Sequence, residues 1–212
     1  MDDTTNWISL KLVAVVTFIS LNVFAEIEDF GAHLARAKNE KLTMNERWSA
    51  LLQASNFASR TEVSEIQKFA QSKEWYLRNA ALVALKRINP ELAQQEAVKL
   101  LSDKALVVRS AAVEVVAEKM TDRNKTALVS ELNKAYNFNR NSSLWIRKQI
   151  LEKVAAIATA KDQNLFVKTL FDQDKKISEL SANTLEKLTG KKIARNKFVQ
   201  NWRAYAKQEN WY

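Results

Sequence analysis

Residues 75–119, WYLRNAALVALKRINPELAQQEAVKLLSDKALVVRSAAVEVVAEK, say the same thing twice. Arg78 and Arg109 stand 31 positions apart. Each is followed by Ala at three positions (Ala81, Ala112), an aliphatic residue at four (Leu82, Val113) and another at seven (Leu85, Val116). Offsets of 3, 4 and 7 fall on one face of an α-helix, because 3.6 residues make a turn. Working outward, Arg47 lies 31 residues earlier, with Ala50, Leu51 and Ala54 in the same slots. After a seven-residue insertion the anchor slot holds Arg147, with Ile150, Leu151 and Val154, and 31 residues further it holds Ser178, with Leu185 seven on. The chain is a repeat, and each unit contains an amphipathic helix.

A second helix precedes the first in every unit. Ile66, Ala97, Leu128 and Phe166 share one column, and Ala70, Leu101, Leu132 and Leu170 share another four residues later, with spacings of 31, 31 and 38 in both. The extra seven residues therefore fall between Leu132 and Arg147, in the turn between two helices. Thr43 with Glu46 reads as a capping box, Asn89 before Pro90 as an N-cap followed by a proline at the first helical position, and Gly190 as a C-terminal stop. Two glycines, one proline and no alternating β-branched run give strands little support, so the expected class is all-α.

A two-helix unit of this length cannot enclose its own apolar face and must stack on its neighbours. The pattern at 75–119 closely resembles the short form of HEAT repeats, and the resemblance covers roughly residues 43–190. It implies an α-α superhelix, a right-handed α-solenoid of HEAT-like helical hairpins. Asp103, six before Arg109, matches the turn Asp that in this family often pairs with the helix Arg. The pattern departs where Ser178 replaces the Arg and where Ser72 and Asn141 stand in for the Asp. Asp103 and Asp172 are expected to cap the helices that follow them. The first helix after residue 25 places Ala35 and Asn39 in the core slots, with Phe30 and Leu34 nearby. Phe198, Val199, Trp202, Tyr205 and Ala206 form a stripe on a closing helix, so 26–190 reads as the solenoid and 191–212 as a capping helix and tail. The LTGKK at 188–192 before that helix looks like the ending of some bacterial HEAT-repeat proteins.

Residues 12–25, LVAVVTFISLNVFA, are fourteen uncharged and mostly apolar positions, the length of a signal-peptide core and short of the roughly 20 that span a bilayer. Val23 and Ala25 suit a cut before Glu26, although Asp2 and Asp3 outweigh Lys11 upstream. The expectation is export to the periplasm or beyond, with an uncleaved inner-membrane anchor as the alternative. The absence of cysteine excludes structural disulfides and a lipidated thiol.

Inventory prunes the chemistry. With no cysteine and His33 alone, a serine–histidine triad, a thiolate nucleophile and a Cys/His zinc site have no basis. Gly31 and Gly190 are isolated, which rules out the usual phosphate-cradling loops. No cofactor and no enzymatic activity are expected, and His33 reads as a surface or packing residue.

The formal charge of +9 becomes +10 when Asp2, Asp3 and Lys11 leave with the leader, and invites a nucleic-acid reading. Such a protein, resembling the HEAT-like alkylpurine DNA glycosylases and retained in the cytoplasm, is the alternative function. Against it, the non-core positions of the second helices carry Lys86, Arg87, Lys148, Lys153 and Lys187 but also Glu114, Glu118, Glu152, Glu179 and Glu186, which makes no basic stripe to release counterions.

The reading is a non-catalytic, exported protein-binding or scaffold solenoid with two candidate partner-binding regions. One is the insertion KAYNFNRNSS at 134–143, where Tyr136, Phe138 and Arg140 combine apolar and hydrogen-bonding groups on a solenoid edge. The other is the basic, aromatic C-terminal end with Lys191, Lys192, Arg195 and Trp211, suited to an anionic envelope polymer or a membrane surface. Neutralising Lys191, Lys192 and Arg195 is expected to leave the melting point almost unaltered. Trp75, Tyr76 and Trp145 are expected to fill gaps between units.

Overall fold

The columns read from the repeat are the core. Ala50, Ala81, Ala112 and Ile150, with Leu51, Leu82, Val113 and Leu151 beside them and Ala54, Leu85, Val116, Val154 and Leu185 seven from the anchor, are all buried. So are the eight first-helix column residues from Ile66 to Leu170. The computed structural model describes residues 29–211. The leader reading at 1–25 lies outside the described residues. No helix among the described residues is long and apolar enough to cross a membrane.

The described chain is all-α apart from one small hairpin, and its helices come in pairs. The first members are α1 (Phe30–Lys38), α3 (Val63–Lys68), α5 (Pro90–Leu100), α7 (Asp122–Glu131) and α9 (Gln163–Leu170). Their partners are α2 (Met44–Phe57), α4 (Trp75–Ile88), α6 (Leu106–Glu118), α8 (Trp145–Ala156) and α10 (Lys175–Thr189), and α11 (Phe198–Gln208) closes the series. The Thr43–Glu46 capping box is formed, Asn89 accepts from the Leu92 N–H ahead of Pro90, and Gly190 ends α10 in the left-handed conformation at φ 69°. A further box, Thr159 with Asp162, starts the turn into α9.

Each pair packs internally, and each second helix also packs on the next, α2 on α4, α4 on α6, α6 on α8 and α8 on α10. Bonds between these helices join matching heights. Near the starts, Trp48 Nε1 donates to Asn79 Oδ1 at 3.1 Å. Near the ends, Lys86 pairs with Glu118, and Lys153 reaches Glu114 at 2.7 Å. The second helices therefore run parallel in one row. First helices are bridged likewise, by Gln67–Glu96 at 2.8 Å and Gln94–Asn124 at 2.9 Å, and Lys125 of α7 reaches Asp162, the residue before α9, at 2.8 Å.

Terminal elements depart from the register. Ala35 in α1 and Asn39 just after it are exposed, whereas Phe30, His33, Leu34 and Ala37 are buried, so the helix turns to bury the apolar side chains it has. His33 stacks on Phe57 with centroids 5.3 Å apart, a packing role. At the other end α11 covers α9 and α10 and encloses Trp202 completely.

The anchor arginines form a buried ladder whose pairing differs from the sequence expectation. Asp103 does not bond the Arg109 side chain through its carboxylate. It takes both oxygens to Arg78, 25 residues earlier, at 2.6 Å each. Asp172 does the same for Arg147, at 2.5 and 3.3 Å. An anchor instead reaches the main chain of its own turn: Arg78 donates to the carbonyls of Ser72 and Lys73, and Arg109 to those of Asp103 and Lys104. The rungs thus tie one unit to the next. Nor do these aspartates cap helices directly. Asp103 accepts from the Ala105 N–H and Asp172 from the Asp174 N–H, holding the turn before the helix.

Burial would raise the Asp103 and Asp172 carboxyls, but the hydrogen bonds and charge of Arg78 and Arg147 outweigh it and hold both below the usual range. A carboxylate depressed by folding contributes stability above its unfolded pKa, near about 4, and that stability is lost as pH falls through the folded value. The melting temperature is therefore expected to fall below about pH 4. Asp103→Asn combined with Asp172→Asn should flatten that fall, and an unchanged slope in thermal melts would show that other groups govern it.

Candidate functional site

The insertion, read from the sequence as a long turn between two helices of an all-α chain, folds as a hairpin. A 3-10 turn at Ala135–Asn137 leads into β1 (Phe138–Asn139), which pairs antiparallel with β2 (Ser142–Ser143). Arg140 and Asn141 make the two-residue turn with φ of 47° and 67°, the positive values that tight hairpin connections require. Fully buried Asn137 pins the base. Its Oδ1 accepts from Arg109 Nε at 3.0 Å and its Nδ2 donates to the Glu131 carbonyl at 2.8 Å. The rung that an Asp fills for Arg78 and Arg147 is filled for Arg109 by this amide.

Two of the candidate residues in the insertion are engaged by the fold. The Tyr136 ring lies under Arg109, with the guanidinium carbon 5.3 Å from its centroid, and its hydroxyl donates to Glu131 Oε2 at 2.5 Å. Burial and the Glu131 carboxylate push the phenol up to about 12, so it remains a proton donor. Phe138 packs under Arg147 at 4.3 Å. Arg140 stands exposed at the hairpin tip.

At the basic end the structure changes the expectation for three residues. Lys192 and Arg195 reach the buried carboxylate of Glu186 at 3.1 and 2.9 Å, and Arg195 also lies over Phe198 at 4.3 Å. Lys191 sits over the Tyr205 ring at 4.8 Å. Neutralising all three strands Glu186 in a buried place, and a loss of about 1–3 kcal/mol is expected instead of no change. Trp211 meets Tyr205 edge-on at 5.4 Å, and Tyr205 meets Trp202 at 5.7 Å, so this aromatic row seals the end of the core.

The two candidate regions meet. An open cleft of about 890 Å³ is lined by Phe138, Ser142, Ser143, Arg147, Phe171 and the Asp172–Asp174 turn. A second, of about 580 Å³, runs between that turn and the start of α11, lined by Lys175, Glu179, Arg195, Lys197, Phe198 and Arg203 among others. Both contain Asp172 and Gln173, so one trough leads from the hairpin to the C-terminal cap. Its hairpin half is polar and aromatic, and its cap half carries more cations than acids. Of the candidate residues only Phe138 and Arg195 line these clefts, and Tyr136, Arg140, Lys191, Lys192 and Trp211 line neither.

Sequence reasoning missed Gln173 and Arg203. Arg203 supplies the rung lost at Ser178: its Nε donates to the Leu170 carbonyl at 2.9 Å, as Arg147 Nε does to Leu132 at 2.6 Å, and Leu132 and Leu170 share a column. A lone Arg on a helix outside the repeat carries no periodic signal. The five charges of each sign on the second helices are largely matched in place, Lys86 with Glu118, Lys148 with Glu152 and Lys153 with Glu114. Among the described residues no three His, Asp or Glu side chains gather as a metal-binding group. No protein-family model matches the chain, and no curated protein matches it.

Proposed function

We propose that the protein is a non-catalytic, HEAT-like α-solenoid, exported to the cell envelope, that holds a protein partner in the trough between its hairpin and its C-terminal cap. The parallel row of second helices, the matching first-helix row and the inter-unit arginine ladder support the solenoid reading, and the resemblance at residues 75–119 supports its HEAT-like type. The observation that carries the binding site is the sharing of Asp172 and Gln173 by two clefts, which joins a long turn to an aromatic, cationic end. Long turns on one edge of a solenoid are where recognition concentrates. Charge matching along the second helices speaks against a phosphate-binding face.

The test is retention of envelope proteins on the immobilised chain and on Gln173→Trp, which fills the trough from an exposed position. A polypeptide held by the wild type and lost with the variant, at equal melting temperature, is the expected result. Retention indifferent to Gln173→Trp would remove the trough. Tight duplex-DNA binding that weakens steeply with salt in mobility shifts would favour the nucleic-acid alternative. Sequencing the N-terminus of the envelope-purified protein should give Glu26, and Met1 in a soluble cytoplasmic pool would overturn export.

A further inference from the structure

Seven large apolar side chains stay exposed among the described residues, and their positions are not scattered. Met44, Trp75 and Trp145 are the first residues of α2, α4 and α8, and Val107 is the second of α6. Tyr136 lies in the turn leading to α8. Because the second helices run parallel in one row, their first turns share one edge, and five of the seven exposed residues stand along it. The expected gap-filling role holds only for Tyr76, which is buried and whose hydroxyl accepts from Arg47 Nη1 at 2.8 Å. Trp75 is 40% and Trp145 55% exposed.

The same turns carry Lys41, Lys73, Lys104, Lys134 and Arg140, all exposed, against Glu40, Glu46 and Glu74. Asp103 on this edge is already neutralised by Arg78. Lysines alternate with the apolar residues, Lys41 before Met44, Lys73 before Trp75 and Lys104 before Val107. Helix rows place such positions about 8–10 Å apart, so the edge presents a line of protruding apolar tips set in a basic margin.

We propose that this edge docks on an anionic lipid bilayer surface, with Met44, Trp75, Val107 and Trp145 entering the headgroup boundary and the turn lysines meeting the lipid charge. Tryptophan and lysine together are the composition of interfacial anchors, an indole ring placing its apolar body and its N–H at the boundary. A row of apolar tips at the starts of successive parallel helices gives several points of contact to one surface. The C-terminal basic end is the weaker candidate for this role, because Lys192 and Arg195 are spent on Glu186 and Lys191 on Tyr205. The proposal goes beyond the trough and does not depend on its occupant.

The absence of cysteine gives a clean probe. Val107→Cys and Trp145→Cys in the full chain, each carrying an environment-sensitive fluorophore, are compared with Ile157→Cys, exposed at the far end of α8. On vesicles containing phosphatidylglycerol, the two edge labels should shift to the blue and be quenched by brominated acyl chains, while the Ile157 label does neither. Comparing sites within one chain separates the edge from any anchoring by the N-terminal segment. Lys73→Glu with Lys104→Glu should weaken the edge-label response roughly tenfold or more, and purely zwitterionic vesicles should give little. Equal response at all three sites, no response at the edge, or an edge response to soluble polyglutamate in place of vesicles would overturn the proposal, the last in favour of an acidic protein partner.

Discussion

Trp202→Ala should destabilise the protein by about 3–5 kcal/mol in urea unfolding, the cost of removing a large enclosed aromatic side chain. Trp202 is the largest fully buried residue, and it sits on the helix that closes the end of the core against α9 and α10. Its indole N–H has no hydrogen-bond partner among the described residues, so the side chain contributes through volume and ring contact with Tyr205. Trp202→Phe should accordingly cost less than half as much. A change within about 1 kcal/mol for the alanine variant would mean that α11 does not cap the core.

Arg147→Ala should cost a similar amount, about 3–5 kcal/mol, because it breaks a buried ion pair and leaves its partner uncompensated. Arg147 is buried and donates to the Leu132 carbonyl, the Ser143 hydroxyl and both oxygens of Asp172. Arg147→Met with Asp172→Asn removes the charge from both sides and should recover part of the loss, since the amide oxygen can still hold the Asp174 N–H. If the double variant were no more stable than Arg147→Ala, the penalty would come from the lost bonds to the Leu132 carbonyl and the Ser143 hydroxyl and not from the stranded carboxylate. The same change loosens the trough, because Arg147 supports Phe138 and positions Asp172.

The core was legible because two periods coincide in it. A residue such as Leu85 is apolar at helical spacing and recurs at the repeat, and both signals demand burial. The polar ladder was legible in composition but not in pairing: a turn Asp six residues before one Arg and 25 after another has no sequence mark that tells which it serves. Three-dimensional stacking decides for the earlier one. The hairpin was invisible because two-residue strands have no periodicity to detect, and the burial of Asn137 depends on where Arg109 points. Trp75 and Trp145 were assigned to gaps between units because they come just ahead of the anchor arginines, whereas their place in the first turn of a second helix leaves them outside the row. Of the trough, Phe138 and Arg195 could be named from local composition. Gln173 and Arg203 could not, because they matter only once the last unit and α11 are brought together.

Central to all of this is the stacking of successive two-helix units, and the most direct measurement of it is a double-mutant cycle between Arg78 and Asp103, using Arg78→Ala and Asp103→Asn in denaturant unfolding. Residues 25 apart in sequence meet only if neighbouring units pack in the described register. The stacking predicts a coupling of at least about 1 kcal/mol. Additive losses, within about 0.3–0.5 kcal/mol, would contradict it.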